Sequence, residues 1–168
     1  QPLNDSPPPT VSNQAWPRNA IDRFILAKLE ESGLSPAPFA DKRVLIRRAY
    51  FDLIGLPPPV DAVQAFLDDT SSQAFERVVD RLLESEHFGE RWARHWMDLM
   101  RYAETHGHEF DYPIHHAAKY RDYLIRAFNE DVSYDQFVRE HLAGDLLRPP
   151  RRNRTTGANE SILGTGFW

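Results

Sequence analysis

Residues 73–85 read QAFERVVDRLLES. Phe75, Val78, Val79, Leu82 and Leu83 recur at intervals of three and four. That period gathers side chains on one face of an α-helix, whereas a strand changes face at every residue. The same period extends to both sides. Towards the N-terminus, Asn19 is positioned to cap AIDRFILAKLEES, with Ile21, Phe24, Ile25 and Leu29 on one face and Gly33 as its stop. Asp41 is positioned to cap KRVLIRRAYFDLI, which runs into Gly55 and then LPPP, and a short helix follows around VDAVQAFLDD. Towards the C-terminus, a helix over residues 89–104 places Trp92, Trp96, Leu99, Met100 and Ala103 on one side. HHAAKYRDYLIRAFNED places Ala117, Tyr120, Leu124 and Phe128 together. A last helix starts at Ser133, where Gln136 completes a capping-box pattern and Tyr134, Val138 and Leu142 form the apolar side. No alternating pattern competes. The spacing predicts an all-α fold, an irregular bundle of six or seven helices with a Pro-rich N-terminal arm and an extended C-terminal tail.

The 168 residues suffice for one domain with a real core. Residues 1–18 read as a linker or arm, since five prolines fall within the first seventeen positions, and Trp16 is expected to dock onto the domain. Residues 19–147 form the helical domain. Residues 148–168 read as a basic linker and the start of a following segment, with Arg148–Arg154 solvated and Phe167–Trp168 awaiting a partner segment. A chain that begins at Gln1 suggests a processed or excised piece. A net charge of −5 argues against a nucleic-acid partner, and no apolar run is long enough for a membrane span. The absence of Cys removes disulfides, thiolate metal sites and a CxxCH haem attachment, so no cofactor is expected from thiol chemistry within this chain.

The densest chemistry lies in ETHGHEFDYPIHH, residues 104–116, with four histidines and three carboxylates. It joins two helices whose polar faces carry Arg91, Arg94, His95, Asp98, Arg101 and Tyr102 on one, and Lys119, Asp122, Tyr123, Arg126 and Glu130 on the other. Three readings stay open: solvated faces, a polar seam between the helices, or a ligand site using Tyr102, Arg121 and Asp122. Within the loop, His106 and His108 with Glu104 or Asp111 could hold zinc, or the oxygen donors calcium. Alternatively Gly107 marks a polar turn, or Asp98, Arg101, Glu109 and Asp111 divide acid–base roles. His115 and His116 fall in the first turn of the following helix, and His141 reads as a satisfied core histidine. No serine sits in a nucleophile-elbow pattern, and phosphate-loop and dinucleotide motifs are absent.

Three long stretches, residues 21–58, 88–111 and 119–147, closely resemble a cytochrome-associated domain of unknown function found in planctomycetes and related bacteria. The motif positions carried over are Arg91, Trp92, Trp96, Asp98, Arg101, Tyr102, Gly107, Glu109, Asp111, Arg121, Asp122, Asn129, Gly144 and Asp145. Glu104, His106 and His108 depart from the family pattern, so a site built on the two histidines would be a local feature. The resemblance implies a large exported protein, periplasmic or at the cell surface. It also implies a c-type cytochrome-like domain upstream, a domain of unknown function downstream, and a redox or polysaccharide-related setting. It leaves three readings of function: a partner-docking module, an enzyme half-site or metal/sugar site at Asp98, Arg101, Glu109 and Asp111, and a carbohydrate-binding module.

Overall fold

Asn19 and Gly33 bracket the first helix, α1 (Ala20–Glu31), as their positions in the sequence predict. The Asn19 side chain accepts the Asp22 N–H at 3.0 Å, satisfying one of the donors a helix leaves free at its start. At the other end Gly33, with φ 67°, turns the chain so that the Leu34 N–H reaches the Leu29 carbonyl at 2.8 Å. The structure is a computed structural model that describes residues 6–167, with the Phe167 side chain excepted. It divides between Ala40 and Asp41 into two compact units.

In the first unit the proline-rich arm is tied to α1 rather than left free. Glu30 accepts the backbone N–H groups of Ser12 and Asn13, and these bonds hold its carboxyl below the ordinary value. Val11 is buried beside them in sequence, and Trp16 is half-buried. Leu26 is the buried residue of α1, while Ile21, Phe24 and Ile25 are exposed, so the expected apolar face is displaced.

The second unit contains α2 (Lys42–Leu53), α3 (Val60–Asp68), α4 (Ala74–Leu83), α5 (Glu86–Leu99), α6 (Ala117–Asn129) and α7 (Tyr134–Ala143). A 3₁₀ helix (Ser161–Phe167) follows, and among the described residues no strand forms. Asp41 caps α2 by accepting the Val44 N–H at 3.0 Å, and Gly55, at φ 73°, ends the turn after it. One core joins α2, α3 and α4 through Ile46, Tyr50, Phe66, Val78 and Leu82. A second joins α5, α6 and α7 through Ala93, Met97, Tyr120, Tyr123, Leu124, Ala127 and Phe137. Burying a side chain such as Leu124 contributes about 1.5–3 kcal/mol. No described helix is long and apolar enough to cross a membrane.

Two close approaches fix how these helices pack. A Cβ on Gly89 would stand 2.3 Å from the Ile125 carbonyl oxygen, so α5 meets α6 backbone to side. Asn129 locks that crossing: its Oδ1 accepts the Gly89 N–H at 2.7 Å and its Nδ2 donates to the Glu86 carbonyl at 3.0 Å. On α7, a Cβ on Gly144 would stand 1.8 Å from the Ser161 carbonyl oxygen, which seats the 3₁₀ helix.

The buried faces correct the sequence reading in three helices. On α5 the buried positions are Gly89, Ala93 and Met97, one step from the expected Trp92–Leu99 stripe, and Leu99 is exposed. On α6 Tyr123 is fully buried instead of lying on a polar face. On α7 Phe137, Glu140 and His141 face inward while Tyr134 and Leu142 face solvent. Ser133 makes no capping bond, and Gln136 donates to Glu140 at 3.1 Å instead of closing a capping box. The Arg148–Arg154 run is also divided: Arg152 and Arg154 are exposed, but Arg151 turns inward.

Candidate functional site

Helix α5 stops five residues earlier than its period suggests, and Arg101 is the reason. With φ 53° it takes the left-handed position, so that the Arg101 N–H reaches Asp98 and the Tyr102 N–H reaches Met97 at 3.0 Å. The chain leaves the helix axis there, and residues 101–116 form a loop. Two backbone bonds, Ile114 N–H to Glu104 at 2.7 Å and His106 N–H to Tyr112 at 3.0 Å, close it into a narrow lobe. Asp111, at φ 33°, accepts the Gly107 N–H at 2.9 Å across the tip. Hydrogen bonds from Thr105 and then Gly107 hold its carboxyl below the ordinary range.

The ligand candidates Tyr102, Arg121 and Asp122 do come together, with Glu104 at their centre. Glu104 Oε1 accepts the Tyr102 hydroxyl at 2.9 Å and the Arg121 guanidinium at 2.7 Å, and Arg121 also pairs with Asp122 at 3.2 Å. Burial first, and then the Glu104 carboxylate, push the Tyr102 hydroxyl up to about 12. Arg121 is shared between the carboxylates of Glu104 and Asp122, so the cluster works as a clamp that fixes the loop on α6.

The acid–base candidates are not joined. Asp98 pairs with Arg94 one helical turn away at 3.0 Å, Asp111 is committed to the loop tip, and Arg101 and Glu109 form no ion pair among the described residues. Nor do the metal candidates converge. The His106 and His108 rings stand 6.2 Å apart, Glu104 serves Arg121, and the described residues contain no group of three or more His, Asp or Glu arranged to hold a metal ion. The loop instead displays rings in series. His106, His108, Phe110 and Tyr112 contact their neighbours at 6.1–6.3 Å between centroids, with Phe110 67% and Tyr112 60% exposed. His115 and His116 precede α6 rather than occupying its first turn. His116 is its left-handed N-cap, at φ 70°.

Of the three readings, the polar seam between α5 and α6 does not form among the described residues, because Arg126 and Glu130 of α6 turn towards the C-terminal segment. Arg126 grips Glu160 through two bonds of 3.0 Å. Arg151 pairs with Glu130 at 2.8 Å and with Glu140. Glu140, 0% exposed, also accepts from Tyr123, Ser161 and Gln136. Burial opposes its charge, yet Arg151, Gln136 and Tyr123 together hold its carboxyl below the ordinary value. The sequence does carry a signal for this cluster: Phe137, Glu140, His141 and Gly144 follow the i, i+3, i+4, i+7 pattern. His141 is the satisfied core histidine expected. Its Nδ1 lies 2.8 Å from the Phe137 carbonyl, which can only accept, so Nε2 takes the Trp96 N–H and the Tyr120 hydroxyl.

The family described as PSCyt2, protein of unknown function (DUF1549), matches residues 20–168, and the chain belongs to it. No curated protein and no solved structure matches the chain.

Proposed function

We propose that this DUF1549 domain is a non-haem docking module of a larger exported protein, associated with a c-type cytochrome-like domain upstream and a second domain of unknown function downstream. The observation that carries this reading is the 101–116 loop. It is clamped at its base by Glu104 and Arg121, yet it turns the Phe110 and Tyr112 rings out to solvent. Exposed aromatic rings on a lobe with a fixed base are what a contact surface needs, and large exposed apolar groups otherwise weaken solubility.

The test is titration of this chain with the separately produced neighbouring domains of its parent protein, followed calorimetrically. Saturable binding to one of them, weakened about tenfold in the Phe110→Ser/Tyr112→Ser double variant, supports the reading. Absence of binding to both neighbours, or undiminished binding by the variant, overturns it. Recovery of the parent protein only from the cytoplasmic fraction overturns the exported setting.

A further inference from the structure

The 101–117 loop, the start of α6 and the 3₁₀ helix line a pocket of about 420 Å³, within the size range of small-molecule sites. Met100, Ile114 and Leu163 contribute apolar wall, Arg101 and Lys119 the cationic groups and His115 and His116 two imidazoles, with no carboxylate among the described residues of the lining. The arginines that flank this pocket on α5 and α6 are matched: Arg94, Arg121 and Arg126 each have a carboxylate within 3.0 Å. Among the described residues neither Arg101 nor Lys119 forms such a pair.

Backbone conformation gives a second, independent observation. Arg101 and His116 both occupy the left-handed region, at φ 53° and 70°, where glycine fits without strain and a side chain does not. Both positions end or begin a helix, where glycine or asparagine commonly stands, and here both carry a basic side chain into the lining of one pocket. Backbone strain of this kind concentrates at sites where the side chain has a task. The α6 start adds to the positive field, since it has no acidic residue in its first turn and no side-chain cap.

We propose that this pocket binds a small organic anion, a carboxylate or phosphate ester whose apolar body rests against Met100, Ile114 and Leu163 while Arg101 and Lys119 take the charge. The proposal does not depend on the docking reading, which uses Phe110 and Tyr112.

The test is titration of the full chain with benzoate, phenyl phosphate, inorganic phosphate and the neutral benzyl alcohol, read by calorimetry. Saturable binding of benzoate or phenyl phosphate is expected, with inorganic phosphate and benzyl alcohol each about tenfold weaker or worse. The arms separate a carboxylate from a phosphate ligand. Arg101→Gly suits the backbone at that position, so its melting temperature should equal or exceed that of the parent chain while binding falls about tenfold. Lys119→Ala, on an exposed helical position, should weaken binding likewise. No saturable binding of either organic anion at millimolar concentration overturns the proposal. So does unchanged binding in both variants, or inorganic phosphate binding as well as phenyl phosphate.

Discussion

Arg151 reaches Glu140 through two parallel bonds, Nε to Oε1 and Nη2 to Oε2, both 3.0 Å, and a third bond from the same guanidinium holds Glu130 at 2.8 Å. The arrangement ties a segment beyond α7 to the inner faces of α6 and α7, with Glu140 wholly buried and the Arg151 side chain 18% exposed. Removing one member of such a pair leaves an uncompensated charge in the interior. Arg151→Met is therefore expected to destabilise the fold by about 3–5 kcal/mol. Adding Glu140→Gln removes the stranded charge and should recover part of that loss, because Ser161 and Gln136 can still donate to an amide oxygen in the Oε1 position while the amide NH2 donates to the Tyr123 hydroxyl oxygen. Urea midpoints of the single and double variants check this. A double variant weaker than Arg151→Met alone would contradict the buried-charge account.

The same region sets the acid response. Burial lowers the His141 value below 6.5, so the unfolded chain binds its proton first and stability falls as pH drops below 6.5. Glu140 has its folded value lowered below 4.5, so its contribution is complete above 4.5 and is lost as pH falls through the lowered value. Both act in the same direction, in two successive windows. The exposed His87 beside Glu90 acts with the opposite sign, since its value is raised, and high salt screens that pair. Unfolding midpoints in high salt should decline from about pH 6.5 downward, with His141→Gln removing the upper step and Glu140→Gln reducing the lower, to which other lowered carboxylates such as Glu30 and Asp111 also contribute. A flat profile from neutrality to pH 5 would contradict the His141 assignment.

Helix ends were readable wherever a side chain makes a local bond or a glycine supplies the turn, as at Asn19, Gly33, Asp41 and Gly55. The end of α5 was hidden because Arg101 does the work of glycine there. The inner face of α7 was misplaced for a different reason: beside the expected His141 its core includes Glu140, a charged residue that the apolar spacing of Tyr134, Val138 and Leu142 passes over. Arg151 looked solvated because its partners Glu130 and Glu140 lie 21 and 11 residues away, and a long-range ion pair leaves no local trace. In the loop, nearness in sequence suggested convergence of Asp98, Glu109 and Asp111. The backbone sends Asp98 to Arg94 on the helix surface and Asp111 to the loop tip. Tyr102, Arg121 and Asp122 do lie together, but through partners that the sequence reading did not assign: Glu104 accepts from Tyr102 and Arg121, and Arg121 in turn pairs with Asp122.

Gly89 and Gly144 separate two kinds of close packing. At Gly89 the obstacles to a Cβ are the Ile125 carbonyl at 2.3 Å, a single backbone atom, and the Asn129 side chain at 2.6 Å, which gives way only by loosening its bonds to Gly89 and Glu86. Gly89→Ala should cost about 1–3 kcal/mol, as overpacking typically does. At Gly144 backbone atoms of Ser161 and Glu140 stand at 1.8 and 2.5 Å on a crossing that cannot shift locally. Gly144→Ala should cost more than Gly89→Ala and unseat the 3₁₀ helix, exposing Leu163. Denaturation midpoints and increased amide exchange at residues 161–166 provide the check, and equal costs would show that the 3₁₀ helix moves freely on α7.

The Glu104 clamp gives the finest test of the loop. Glu104 and Arg121 are both partly exposed, and such a pair contributes about 0.2–1 kcal/mol. Glu104→Gln should therefore leave the global unfolding midpoint nearly unchanged. The loop is more sensitive than the core, because its closure rests on few bonds, chiefly Ile114 N–H to Glu104 and His106 N–H to Tyr112. Exchange of the Ile114 and His106 amides should rise several-fold in Glu104→Gln while the Leu124 amide, in the middle of α6, keeps its protection. The Tyr102 hydroxyl should titrate lower in the variant, since the carboxylate that raises it is gone while burial remains. Hydrogen exchange followed by NMR, with a Tyr102 titration alongside, reads both effects. Equal acceleration at Leu124 would mean that Glu104 supports the whole bundle rather than the loop.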